Sequence, residues 1–267
     1  MKDGHIHTPY CPHGTDDKFE QYVEKAIKVG LDEISFTEHF PLPKGFTDPA
    51  PDNDSSINLE QLKSYINDVN KLKDRYKDKI KINVGAEVDY VEGFEKEIKS
   101  LLDEYGKYLE DGILSVHMIK IEDEYYCMDF SSEEFEKIVN LLGSIESVYN
   151  LYYDTLIKAV NADLGEYKPK RIGHLNLVRK YNKKFPYDYS KNKKLEELVK
   201  LISEKEYELD YNVAGLFKED CGEVYISGYL AELIKKYNVK VVLGSDSHSS
   251  KFIDKYINLY KEDLVFQ

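Results

Sequence analysis

Met1-Lys2-Asp3-Gly4-His5-Ile6-His7 opens the chain, and the reading of this stretch decides the fold. Residues two apart on a β-strand share a face, so His5 and His7 present two imidazoles side by side. That is a metal-ligand geometry, although two surface histidines on a strand have the same spacing. The other histidines separate the two readings. The chain has seven, at positions 5, 7, 13, 39, 117, 174 and 248, and nearly all fall at the C-terminal end of a predicted strand.

Working outward, Asp16 and Asp17 open a helical pattern through Phe19, Tyr22, Val23, Ala26 and Ile27 that stops at Gly30, leaving His13 in the first β-to-α loop. Glu33-Ile34-Ser35-Phe36-Thr37-Glu38-His39 reads as a buried strand ended by Pro41 and Pro43. Residues 44–56, rich in Pro, Asp and Ser, form a loop longer than a plain connection needs, either a binding lid or a disordered insertion. A helix over 59–76 leads to a strand over 80–90 that carries Glu87. A helix over 94–108 precedes a strand over 112–119 that carries His117. A small hairpin is expected over 122–130. Residues 132–165 are helical, with Ser132 as N-cap and a break at Gly143. Arg171-Ile172-Gly173-His174-Leu175-Asn176 reads as a fifth strand, and a helix over 193–206 precedes a sixth strand over 208–213. A helix over 226–237 feeds the strongest strand, Val239-Lys240-Val241-Val242-Leu243-Gly244-Ser245-Asp246-Ser247-His248.

Seven strands alternating with helices, with no compositional break, predict one α/β domain over residues 1–267. The parallel sheet is either open and doubly wound or closed as a TIM-like barrel. Candidate site residues come from the first, second, third, fourth, fifth and seventh strand ends. An open sheet would spread them over about 30 Å at ~4.8 Å per strand, which favours the closed ring. With the first strand starting at Met1, no N-terminal domain is expected ahead of the barrel.

Composition narrows the function. The 37 basic and 50 acidic residues give a formal charge of -13, which argues against nucleic-acid binding and requires any anionic substrate to be held locally. Cys11, Cys127 and Cys221 are odd in number, far apart and form no Cys-x-x-Cys pair, so neither a disulfide framework nor a cysteine zinc site is indicated. Cys11 and Cys127 are read as structural. No apolar run approaches the roughly 18 residues of a membrane span, so a cytoplasmic protein is expected.

The strand-end set is His5, His7, His13, His39, Glu87, His117, His174, Asp246 and His248. Seven imidazoles and two carboxylates exceed what one ion can use, so two or three divalent ions are predicted, of zinc, iron or manganese. Glu87 can bridge two of them. Ions held about 3.5–4 Å apart activate water and stabilise attacking and leaving oxygens, as phosphate-ester hydrolysis requires. Glu38 is expected to orient an imidazole rather than to bind an ion. Among the cations, Arg171 belongs at the barrel bottom in an ion pair. Arg179 is placed to fork two hydrogen bonds to phosphate, with Lys218 as the second choice.

Asp3-Gly4-His5-Ile6-His7, Thr37-Glu38-His39, Gly85-Ala86-Glu87, Ser115-Val116-His117, Ile172-Gly173-His174 and Gly244-Ser245-Asp246-Ser247-His248 together resemble the successive motifs of the polymerase and histidinol phosphatase (PHP) family. The runs Gly173-His174-Leu175-Asn176-Leu177-Val178-Arg179-Lys180 and Ala214-Gly215-Leu216-Phe217-Lys218 resemble its histidinol-phosphate-hydrolysing branch. The resemblance implies a distorted (β/α)7 barrel with a trinuclear metal centre that hydrolyses L-histidinol phosphate, a small phosphomonoester, to L-histidinol and phosphate. By motif, His5, His7, Glu87, His117 and Asp246 would serve the paired ions, with His13, His39, His174 and His248 completing the pair and the third site. Asp246 or His248 would manage the leaving-group proton. The rivals are another PHP phosphoesterase acting on nucleotides, an amidohydrolase-type barrel, and a metal-bound scaffold module without activity.

Overall fold

The computed structural model describes residues 1–190, 192–254 and Leu264. Its central sheet is formed by β1 (Lys2–Ile6), β2 (Glu33–His39), β3 (Lys81–Asp89) and β4 (Asp111–Ser115). After a separate hairpin of β5 (Met118–Ile121) and β6 (Glu124–Cys127), it continues with β7 (Arg171–Ile172), β8 (Glu208–Asn212) and β9 (Val241–Gly244). The order is β1-β2-β3-β4-β7-β8-β9, with every pairing parallel. Just beyond β9 the ring is drawn nearly shut: the Asp246 N–H donates to the His5 carbonyl (2.8 Å) and the His7 N–H to the Ser247 carbonyl (3.0 Å). This is the closed alternative, a (β/α)7 barrel.

The helices are α1 (Phe19–Lys28), α2 (Leu59–Tyr76), α3 (Glu95–Tyr105), α4 (Ser132–Leu142), α5 (Ile145–Asn161), α6 (Lys193–Glu204) and α7 (Gly228–Lys236). Their boundaries follow the capping chemistry. Asn58 accepts from the Glu60 and Gln61 amides at the start of α2. Ser131, not Ser132, caps α4, and Gly143 ends it at φ 79°, after which Ser144 caps α5. Three strands are much shorter than the sequence reading, and the last of them, read over 239–248, keeps only Val241–Gly244. β4 stops at Ser115 because His117 turns inward and Met118 begins the hairpin. β7 keeps only two residues, because the chain leaves the sheet at Gly173. A Cβ at Gly173 would lie 2.1 Å from Ser115 Oγ, so only glycine admits this close crossing.

Strand alternation sorts the residues by face. Ile34, Phe36, Ile82, Val84, Ala86, Val88, Leu209 and Tyr211 join the core cluster with helix residues such as Val23, Tyr65, Val69, Leu102, Leu198 and Ile202. The alternate positions are polar: Asp3, His5 and His7 along the first strand and just past it, then Ser35, Thr37 and His39, Asn83, Glu87 and Asp89, Asp210 and Asn212. The main apolar core thus lies between sheet and helices, and the barrel interior is lined mostly by polar groups, with Ile113 and Val242 among them.

At the N-terminal mouth these groups form an ionic cluster. Asp111 faces Arg171 (3.0 Å) and Lys2 (2.9 Å) and accepts from Ser35 Oγ (2.5 Å), while Arg171 also donates to the Gly4 carbonyl (2.8 Å). Arg171 therefore has the bottom-of-barrel ion pair expected of it. Burial would raise the Asp111 pKa, but Arg171 and Lys2 hold it at about 2. That is below its unfolded value of about 3.9, so the pair's stabilisation is complete above that value and is lost as pH falls through about 2. Arg171→Leu should destabilise the fold by about 3–5 kcal/mol in urea unfolding, because it strands a buried carboxylate. The variant should also lose less further stability below pH 4 than the parent. A change under about 1 kcal/mol would show that the cluster does not tie the strands together.

Candidate metal centre

The C-terminal ends of the strands converge on Glu87, which is 1% exposed. Its Oε2 faces His5 Nε2 (3.4 Å), His7 Nε2 (3.4 Å) and His39 Nδ1 (3.3 Å). Its Oε1 faces His174 Nε2 (3.0 Å) and His117 Nε2 (3.8 Å), and accepts from Ser115 Oγ (2.6 Å). Asp246 Oδ1 joins the first side, 3.1 Å from His7 Nε2 and 3.6 Å from His5 Nε2. The two oxygens of one carboxylate therefore serve two separate sets of donors.

The imidazoles are fixed from behind. His5 Nδ1 lies 2.7 Å from Asp210, His117 Nδ1 2.7 Å from Asp89, and His7 Nδ1 3.3 Å from Glu38. A carboxylate accepts, so each Nδ1 carries the proton and each Nε2 is left with its lone pair pointing inward. Yet His5 Nε2 is 3.2 Å from His7 Nε2, and His117 Nε2 is 3.1 Å from His174 Nε2. The lone pairs of His5 and His7 repel at that separation unless a cation binds between them.

The electrostatics make the same demand. Glu38, Glu87, Asp89 and Asp210 are all at most 5% exposed, and burying so many carboxylates requires positive charge nearby. Burial lowers the His5 pKa, but Asp210, Asp246 and Glu87 outweigh it and raise it to about 10. For His117 the Asp89 carboxylate likewise outweighs burial, again to about 10. Two divalent ions flanking Glu87 would satisfy these groups without extra protons, so the residues present fit the metals.

A third group gathers His39, His248, His7 and Cys11, whose ligand atoms all lie within 4.8 Å of one another. Cys11 is thus no plain structural cysteine: its thiol sits among imidazoles. Burial would raise its pKa, but hydrogen bonds to His13, His248, His39 and His7 bring it far below the usual thiol range. His13 stands at the edge, its side chain 48% exposed and 3.2 Å from Asp54.

A cavity of about 760 Å³ opens over these groups, lined among others by His13, His39, Glu87, His117, His174, Asp246 and His248. Lys218 is in its wall, but Arg179 is not. The Arg179 guanidinium is turned away to Glu223 and stacks over Tyr189 at 4.4 Å. The next residue, Lys180, reaches the cavity instead, paired with Asp129 at 2.8 Å. The sequence reading also missed Asp89, Asp210 and Asn212. Asp89 lies two residues beyond Glu87 on the same strand face, a signal that was present. Asn212 Nδ2 donates to Asp210 (3.0 Å) and Asp246 (3.1 Å), the latter held in a left-handed conformation at φ 52°.

The PHP domain family matches residues 3–214. The histidinol-phosphatase of Bacillus subtilis is 44% identical over 253 residues, covering 93% of this chain and 94% of that protein. A crystal structure assigned as a histidinol phosphatase from Listeria monocytogenes superposes with a TM-score of 0.92 at 35% identity, covering 98% of this chain and 100% of that one. The histidinol phosphate phosphatase of Lactococcus lactis, solved with zinc, L-histidinol and phosphate, superposes with a TM-score of 0.70 at 25% identity, covering 99% of this chain and 94% of that one.

Two substitutions test the centre. Glu87→Gln should remove bound metal and turnover together, by elemental analysis and phosphate release; full retention of either would overturn the bridging role. Asp210→Asn should weaken metal affinity by about 10–100-fold in chelator competition, since it frees the His5 ring. An unchanged affinity would deny Asp210 its orienting part.

Proposed function

Because the chain belongs to the PHP family, we propose that it hydrolyses L-histidinol phosphate to L-histidinol and phosphate as a metal-dependent phosphomonoesterase. The observation that carries this reading is Glu87, whose two oxygens each face their own set of imidazoles. Zinc, iron or manganese ions bound there supply an activated water and charge stabilisation for the phosphoryl oxygens.

The chain's own residues do the remaining work. His5, His7, Asp246 and Glu87 would hold one ion, and Glu87, His117 and His174 would hold its neighbour. Asp210, Asp89 and Glu38 keep the rings in the metal-binding tautomer. Lys218 offers a cation to the phosphate in a chain whose net charge is -13, while Lys180 in the same wall is paired with Asp129. His248 borders the cavity with its Nδ1 3.0 Å from the Asp246 carbonyl oxygen. Tyr225 and Phe217 in the wall suit a ring-bearing alcohol. The net charge disfavours oligonucleotide ends. Among the described residues no helix is long and apolar enough to cross a membrane, and all three cysteines are free and buried, in keeping with a reducing cytoplasm.

The test is phosphate release from purified, metal-reconstituted protein offered histidinol phosphate, nucleotides and sugar phosphates. Histidinol phosphate should give the highest kcat/KM by at least about tenfold, a gap of 1.4 kcal/mol in transition-state binding. Equal or faster turnover of a nucleotide would replace this reading with that of a different PHP phosphoesterase.

A further inference from the structure

The two ions flanking Glu87 leave the Cys11 thiol without a role. Cys11 is 5% and His39 8% exposed, and their ligand atoms belong with that of His248 to one group whose members lie within 4.8 Å of one another. His248 stacks on His7 with ring centroids 4.0 Å apart, which sets it beside the same point. The turn presenting the thiol is built from both sides. The Cys11 N–H donates to the Thr8 carbonyl (3.0 Å) and the Gly14 N–H to the Cys11 carbonyl (2.9 Å). Thr8 is itself anchored to Glu38, the carboxylate behind His7.

We infer that Cys11 ligates the ion held by His39 and His248, giving this locus a sulfur donor where the two loci flanking Glu87 have only nitrogen and oxygen. The inference rests on the multi-ion reading above. On binding, the thiol releases its proton to solvent and the sulfur lone pair forms the metal bond; nothing is oxidised or reduced. His7 Nε2 is already committed to Glu87 and Asp246, so it borders this locus without serving it. His13, hydrogen-bonded to Cys11 and to Asp54, supplies the outer side from solvent. A thiolate is a soft donor, and it biases the site toward zinc over manganese. Cys127, the thiol in the cavity wall, instead donates to Asp129 at 3.6 Å, and burial pushes its pKa up, so it stays a neutral thiol.

X-ray absorption on the zinc-loaded full chain reads the ligand directly. A sulfur shell at about 2.3 Å should accompany nitrogen and oxygen at about 2.0–2.1 Å. Cobalt-loaded protein should show the matching sulfur-to-metal charge-transfer band. Both signals should vanish in Cys11→Ser and persist in Cys127→Ser. Cys11→Ser should also bind one equivalent of zinc at least about tenfold more weakly while keeping the rest. Full metal occupancy without a sulfur shell in the unsubstituted protein would overturn the inference and leave the multi-ion reading standing. Failure to bind metal at all would remove both. The unsubstituted protein decides the matter even if a variant does not fold.

Discussion

A buried carboxylate that must keep its charge is the constraint around which the barrel is arranged. Glu87 meets five imidazoles, three on one oxygen and two on the other, and each ring has to arrive with its lone pair forward. That requirement reaches outward in steps. Asp210 and Asp89 fix the rings, Asn212 fixes Asp210, and the close crossing at Gly173 leaves room for Ser115 to reach Glu87. Even the backbone joins in, since a Cβ at Gly244 would lie 1.9 Å from Asp210.

Such a polar interior is tolerable because the barrel does not rely on it for hydrophobic burial. Apolar strand residues face the helices, where core packing supplies most of the favourable free energy. The inside is divided along its length. The N-terminal mouth carries a self-neutralised cluster of Asp111, Arg171 and Lys2, and the C-terminal mouth carries an excess of carboxylates that only cations from outside can balance. Stability at one end and chemistry at the other follow from a single alternation of residues along each strand.

Much of this was legible in the chain. The two-residue period of His5 and His7 and the placement of later histidines at strand ends led to a closed ring and to the nine candidate ligands. What escaped was set by geometry at longer range. Asp210 and Asn212 sit on a strand that carried no histidine, so nothing local marked them. Arg179 and Lys180 are neighbours in sequence, and which one faces the cavity depends on a short helical turn after a two-residue strand. Cys11 looked inert because metal-binding cysteines are recognised by spacing to one another. Its partners are histidines 28 and 237 positions away, at 39 and 248.

The nearly shut ring has its joint where β1 meets the segment after β9, and the hydrogen bonds across that joint involve His5 and His7 on one side and Asp246 and Ser247 on the other. An ion held jointly by His5, His7 and Asp246 would therefore act as a clasp between two ends of the barrel more than two hundred residues apart in sequence. Ligand-linked stabilisation grows with free ion, by about 2.7 kcal/mol at a hundred times the dissociation constant. Resistance of the fold to opening, and with it the lifetime of the chain among proteases, is then tied to metal supply through the same three side chains that do the chemistry.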